Sequence, residues 1–161
     1  MNKFVILLSP LLLIPSGPAL VPAVRAQTAT EVEHLPPAKG KEVVEKVCSV
    51  CHEAEAVSKY RKTKEDWGAL IDDMVSKGAE GTDAEFDTVV AYLAKCFGPP
   101  VNVNMAVAAD LTKQLELSDK ESDSIVQYRS SNGMFKAADD LKKVPGLDFT
   151  KIESVRYRLT F

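Results

Sequence analysis

Residues 48–52 of this 161-residue chain read CSVCH. Two residues separate its cysteines, and a histidine follows the second cysteine directly. Thiols at this spacing can each add to a vinyl group of one haem, and the adjacent histidine is then held beneath the iron. The stretch therefore predicts one covalently bound haem c, attached through Cys48 and Cys51, with His52 as an axial ligand of the iron.

Two other uses of paired cysteines fit this sequence less well. A thioredoxin-like site needs a surrounding βαβ pattern, which the neighbouring sequence lacks. A structural zinc site needs two further ligands at suitable spacing, and only His34 and Cys96 remain. Cys96 is left over and has two readings, a small buried apolar side chain or an exposed thiol that dimerises. We assign it no role in haem binding.

The sixth ligand of the iron is predicted to be Met74. This methionine lies 22 residues after His52, on the apolar face of a predicted helix, whereas Met105 and Met134 belong to the second half of the chain. The competing interpretation is that Met74 is an ordinary core residue. Ligation by a thioether and an imidazole raises the reduction potential relative to two imidazoles, which suits a carrier that accepts electrons from a periplasmic oxidation.

Both halves of the sequence show helical periodicity, and no stretch alternates well enough to predict a sheet. Apolar residues recur at helical spacing from 67 to 75 and again from 86 to 93. Three helix starts carry the signature of a capping box or half of one. These starts are Thr63 with Asp66, Thr82 with Glu85, and Ser118 with Glu121. A short helix is predicted at 139–143, and a last helix from Phe149 carries Ile152, Val155 and Leu159. The predicted fold class is all-α.

The organisation along the chain follows from composition. Residues 1–26 read as a signal peptide, with Lys3 before an apolar run and cleavage expected after Ala26, or else after Ala23. The alternative is an uncleaved anchor, which the prolines of this segment disfavour. Residues 27–38 read as a linker, and residues 39–98 and 101–161 as two small domains. We therefore expect a periplasmic protein with no membrane span in the mature chain.

The charges are distributed unevenly between the halves. The whole chain has a formal net charge of −3. Residues 27–100 contain 9 basic and 14 acidic residues, a net of −5, and residues 101–161 contain 9 of each. A basic run that includes Lys59 and Arg61 stands out in the acidic half. Its ordinary interpretation is a solvated entry to a helix; its functional one is docking of an acidic redox partner, or a contact of Arg61 with a haem propionate.

Residues 39–98 resemble the small class I cytochrome c domains with histidine and methionine ligation. The resemblance rests on the CSVCH stretch, on RKTKEDW at 61–67, on Met74 followed by Gly78-Ala79, and on AYLA at 91–94 before Phe97-Gly98. It implies haem c with His52 and Met74 as axial ligands. It also implies an electron carrier, or the carrier subunit of a dehydrogenase complex, rather than an enzyme. A haem enzyme or gas sensor with an open iron is the outcome if Met74 is not a ligand.

Residues 101–161 resemble the helix-hairpin-helix domain of ComEA-type competence proteins. The marks are VNVN at 101–104, YR at 128–129, NGMF at 132–135, DL at 140–141 and VPG at 144–146. In that family Gly-x-Gly hairpins present backbone amides to a DNA phosphate. Here the hairpins read ELS at 116–118 and GLD at 146–148, which removes glycines and adds acids.

These departures favour an interaction module over a DNA-binding one. The neutral charge of residues 101–161 also lacks the basic surplus that non-specific affinity for DNA requires. We expect this half to dock to a partner or to the haem domain itself. The expected partner of the whole chain is a periplasmic redox protein or dehydrogenase. A DNA-binding helix-hairpin-helix protein that carries a redox haem stays open as the alternative.

Overall fold

The computed structural model describes residues 34–161. The predicted signal peptide and residues 27–33 of the predicted linker lie outside the described residues. Within 34–161 no helix is long and apolar enough to cross a bilayer. The described part is mostly helical, and its buried residues form two neighbouring hydrophobic cores.

Three α-helices and one short 3-10 helix build the first half. They are α1 (Lys41–Cys48), the 3-10 helix Ala54–Lys59, α2 (Lys64–Ser76) and α3 (Asp83–Phe97). The predicted apolar faces of α2 and α3 meet in the core around Trp67, Ile71 and Leu93. Leu35, from the end of the predicted linker, is 2% exposed and joins this core, and the Tyr92 hydroxyl donates to the Pro36 carbonyl at 2.7 Å. The packed first half therefore begins before residue 39.

Capping determines where these helices begin. The Thr63 hydroxyl accepts the Asp66 N–H at 3.2 Å, and Thr82 forms a complete capping box with Glu85. Such caps satisfy backbone donors that the first turn of a helix leaves without partners. Helix α2 ends at Ser76, and Gly78 follows with a φ of +98°, a conformation that glycine adopts at little cost. The predicted starts of α2 and α3 are confirmed.

The second half contains three further α-helices. They are α4 (Ala108–Leu115), α5 (Asp119–Asn132) and α6 (Phe149–Val155), with 3-10 helices at Ala138–Lys143 and Arg156–Arg158. Ser118 and Glu121 form the predicted capping box at the start of α5. The Arg129 guanidinium donates to the carbonyls of Val103 and Ala106, which fixes the chain before α4 against α5.

A two-residue parallel pairing closes the second half. Strand β1 (Val101–Asn102) pairs with β2 (Leu159–Thr160), with Val101 opposite Leu159. One prediction is wrong here, because Leu159 lies in this pairing rather than on the last helix. The all-α fold class is confirmed, and no sheet had been predicted. Two residues are too short for alternation to be recognised in sequence, and their partner lies almost 60 residues away.

The chain end also joins the two halves. Arg158 is 6% exposed and donates to the carbonyls of Lys95, Pro99 and Gln114, at 3.1, 3.1 and 2.8 Å. The ring of Tyr157 stacks on that of Phe97, the last residue of α3, with centroids 6.1 Å apart. The 3-10 helix at the C-terminus is therefore packed against the first half of the chain.

Candidate functional site

An open cleft lies between the CSVCH stretch and helix α2. Its volume is about 140 Å³, and its lining is mainly apolar. The lining residues are Val47, Cys48, Cys51, His52, Ile71, Met74, Lys77, Ala79 and Phe86. The structure therefore brings four of the five predicted site residues to one cleft.

His52 presents one ring nitrogen to its own backbone and keeps the other available. Its Nδ1 lies 2.9 Å from the carbonyl oxygen of Glu53, and its side chain is exposed. Because a carbonyl only accepts, this contact assigns the proton to Nδ1 and leaves the lone pair on Nε2. In histidines that bind a metal through one ring nitrogen, a hydrogen bond from the other nitrogen to a carbonyl or carboxylate fixes the orientation of the ring.

The three cysteines of the chain are all free, and they differ in burial. Cys51 is exposed, and Cys48 is half-buried, which raises the pKa of its thiol. Cys96 is fully buried on α3, and burial raises the pKa of its thiol to about 12. Of its two readings, the small buried side chain describes Cys96, and an exposed dimerising thiol does not.

Met74 reaches the cleft because of the way that helix α2 ends. The Met74 carbonyl accepts N–H groups of Lys77 at 3.1 Å and Ala79 at 3.0 Å, so the chain folds back over the last turn. Lys77 therefore lines the cleft, although the sequence predicted no role for it. Lys77 Nζ lies 2.6 Å from a carboxylate oxygen of Asp73. In the sequence, the position of Lys77 beside Gly78 indicates the end of a helix, but it does not indicate that the side chain lines a cleft.

Arg61 does not belong to the residues that line the cleft. Its Nε donates to the Tyr157 carbonyl at 2.8 Å, and its Nη1 donates to the carbonyls of Ser58 and Tyr60. The guanidinium also lies 5.5 Å from the centroid of the Phe97 ring. These contacts give Arg61 a structural role where the halves meet. The predicted contact with a propionate has no counterpart in the cleft lining.

The donor set of the cleft fits haem c, while its volume is small. Two free thiols, one imidazole with an available nitrogen and one thioether face an apolar interior, which is the combination that a His/Met-ligated c-type haem uses. Closed pockets for ligands of drug size hold roughly 300–1,000 Å³. The walls formed by α2 and the CSVCH stretch would therefore have to separate to admit a macrocycle. In residues 34–161 no group of three or more His, Cys, Asp or Glu could hold a metal ion.

The hairpins of the second half are stabilised by residues that replace glycine. Glu116 adopts a left-handed conformation with φ of 55°, and its carboxylate pairs with Lys95 of α3 at 2.7 Å. Gly146 retains the left-handed conformation, with φ of 75°. Asp148 caps α6 by accepting the Thr150 N–H at 2.9 Å. The hairpin turns thus keep their shape through caps and through two residues in a left-handed conformation.

Comparison with protein families identifies this half. The model of the helix-hairpin-helix motif matches residues 98–160. The C-terminal half is a helix-hairpin-helix domain. The match begins at Gly98, where α3 ends, and reaches β2, so the helix-hairpin-helix domain includes the Arg158 contacts that join the halves.

Similar curated proteins cover only part of the chain. The endonuclease/exonuclease/phosphatase family domain-containing protein 1 of Rattus norvegicus is 34% identical over 61 residues, which is 38% of this chain and 11% of that protein. An uncharacterized protein of Haemophilus influenzae is 36% identical over 62 residues, 38% of this chain and 55% of that protein. The chain thus spans about a tenth to a half of these relatives. No solved structure matches the chain.

Proposed function

We propose that this chain is an exported monohaem c-type cytochrome that transfers single electrons between periplasmic redox partners. In this proposal the helix-hairpin-helix domain is an interaction module. The observation that carries the proposal is the convergence of Cys48, Cys51, His52 and Met74 on one apolar cleft. His52 and Met74 lie 22 residues apart in sequence and reach the same cleft from separate elements. A methionine that only filled the core, unrelated to the cysteine pair, would have no reason to lie beside it.

Each of these side chains has a definite part in the proposed site. The sulfurs of Cys48 and Cys51 would form the two thioether links, and His52 would ligate the iron through Nε2 while Nδ1 stays on the Glu53 carbonyl. Haem c, when bound, supplies a one-electron iron couple. Met74 would close the sixth position, so that the site exchanges electrons and not ligands. The apolar walls from Val47, Ile71 and Phe86 would exclude water from it.

The proposed partners follow from exposure and from compartment. Val50, between the two cysteines, is 76% exposed and offers an apolar contact beside the cleft. A periplasmic redox protein or a dehydrogenase that docks there would approach the attachment stretch directly. The periplasmic location rests on the predicted signal peptide at 1–26 and on the need for export before haem c is attached.

The test is the optical spectrum of the mature protein, ferric and then ferrous, with carbon monoxide added to the ferrous form. The wild type should show a weak far-red sulfur-to-iron band and no binding of carbon monoxide. In Met74→Ala the band should vanish and carbon monoxide should bind. Met134→Ala is the matched control, because Met134 is 73% exposed in the other half, and it should behave as the wild type.

Two other results would redirect the proposal. Rapid binding of carbon monoxide by the wild type, without the far-red band, would contradict a closed carrier and favour a haem enzyme or gas sensor. If the protein, expressed with the haem-attachment machinery, shows no haem spectrum, then it does not bind haem c and the proposal is wrong.

DNA binding through residues 98–160 is the second candidate function. The observation in its favour is the helix-hairpin-helix match itself, since helix N-termini with free amides are suited to phosphate. A polarisation titration with duplex DNA at low salt tests it. Micromolar binding that weakens steeply with salt would support DNA binding, and no binding at low salt would exclude it.

A further inference from the structure

Four hydrogen-bond donors converge on the carboxylate of Glu121, in the helix-hairpin-helix domain. The Ser118 N–H and hydroxyl donate to Oε2 at 2.8 and 2.7 Å, and Lys151 Nζ lies 2.8 Å from the same oxygen. The Asp148 N–H donates to Oε1 at 3.2 Å. Glu121 is only 6% exposed, whereas Ser118 and Asp148 are exposed and the Lys151 side chain is 41% exposed.

The donors come from both hairpins, which makes the arrangement more than a helix cap. Ser118 ends the first hairpin and Asp148 ends the second, 30 residues later. Backbone N–H groups that converge from separate turns, together with an ammonium group, form a surrounding suited to an anion. Here the anion is a side chain of the protein. Ser118 of the first hairpin and Lys151 of α6 contact its Oε2, and Asp148 of the second hairpin donates to its Oε1.

We propose that Glu121 is the built-in anion of the paired hairpins, and that it closes this surface to the phosphates of nucleic acids. The carboxylate consumes the amides of Ser118 and Asp148 and the charge of Lys151, which are the groups that a phosphate at this position would need.

The closure is permanent at physiological pH. Burial alone would raise the pKa of Glu121, but the hydrogen bonds from Lys151, Ser118 and Asp148 together lower it to about 2. The carboxylate therefore keeps its charge wherever a periplasmic protein works. Lys151, the cation of the site, forms an ion pair with Glu121 at 2.8 Å.

The surroundings of the site oppose a phosphate as well. Exposed carboxylates of Glu116, Asp119 and Asp148 stand at the two hairpins, and the Glu116 carboxylate is paired with Lys95 of the first half. Residues 101–161 carry nine basic and nine acidic residues, so no general surplus of positive charge offsets these acids. The ion pair between Glu116 and Lys95 joins the first hairpin to α3.

The experiment follows the amide signals of Ser118 and Asp148 by ¹H–¹⁵N NMR of the full chain. Inorganic phosphate and a short duplex DNA of random sequence are titrated separately at low salt. The proteins are the wild type, Glu121→Ala, the nearly isosteric Glu121→Gln, and Asp123→Asn. Asp123 is an exposed acid on the same helix, so its variant matches the charge change without touching the site.

The wild type and Asp123→Asn should show no saturable shift of the two amide signals. Glu121→Ala should show saturable shifts with phosphate, at an affinity at least about tenfold above the wild type. Glu121→Gln, which retains the side-chain shape, should move in the same direction and decides the matter if Glu121→Ala does not fold. Saturable shifts in the wild type, or no gain in a folded Glu121 variant, would overturn the closure.

Discussion

At the scale of single residues, Glu121 gives the clearest dependence of stability on pH. Its pKa is lowered from an ordinary 4.5 to about 2, so the folded protein binds its proton more weakly than the unfolded chain does. The stability that this carboxylate contributes is complete above about pH 4.5 and is lost as the pH falls towards 2. The group thus stabilises the fold at neutral pH and ceases to do so in acid.

We therefore expect Glu121→Gln to lower the free energy of unfolding near neutral pH by about 1–3 kcal/mol, because the donors around this side chain lose their charged acceptor. The difference from the wild type should shrink as the pH is lowered towards 2. Urea unfolding at several pH values measures it, with Asp123→Asn as the control for charge. A difference that stays constant with pH would show that Glu121 does not titrate as its contacts require.

Single residues also show what the sequence could and could not reveal about the site. Cys48, Cys51 and His52 were identifiable because their chemistry depends on local spacing alone. Met74 was identifiable as the methionine at a suitable separation, and it does line the cleft. Arg61 and Lys77 could not be assigned, because the direction of a long charged side chain depends on a carbonyl or carboxylate brought near by folding.

At the scale of elements, helix boundaries were the most predictable feature, since they depend on residues three apart. The boxes at Thr82 and Ser118 lie where the sequence predicted them, and both helices begin at the next residue. The pairing of β1 with β2 had no such local signal. Its existence depends on how Arg158 anchors the chain end, which is a tertiary contact.

The capping box of α5 gives a prediction at this scale. Ser118→Ala removes the acceptor of the Glu121 N–H and one donor to the Glu121 carboxylate. The expected loss is about 1–2 kcal/mol of unfolding free energy. Ser130→Ala is the control, because Ser130 lies on the exposed face of the same helix and bonds only the Val126 carbonyl. Equal losses in the two variants, measured by urea unfolding, would contradict a special role of the cap.

At the scale of the whole molecule, Phe97 links the cleft half to the helix-hairpin-helix domain. Its carbonyl accepts the Lys62 N–H at 3.1 Å and the Trp67 indole N–H at 3.3 Å, which fixes the entry to α2. Its ring stacks on that of Tyr157, and the Arg61 guanidinium lies 5.5 Å from its centroid. The helix that carries Met74 is therefore tied, at its first turn, to the C-terminal end of the chain.

A substitution of Arg158 tests whether the C-terminal segment stabilises the first half of the chain. Its buried guanidinium is shared among three carbonyls, of which Lys95 and Gln114 belong to different halves. Arg158→Ala leaves these acceptors without their charged donor, and should lower the free energy of unfolding by at least about 2 kcal/mol. Arg156→Ala should cost less than about 1 kcal/mol, because Arg156 makes only partly exposed ion pairs with acids of its own half. Urea unfolding followed by Trp67 fluorescence is the suitable measurement, since Trp67 lies in the core of the first half. A transition that is unmoved in Arg158→Ala would mean that the first half is stable without the C-terminal segment.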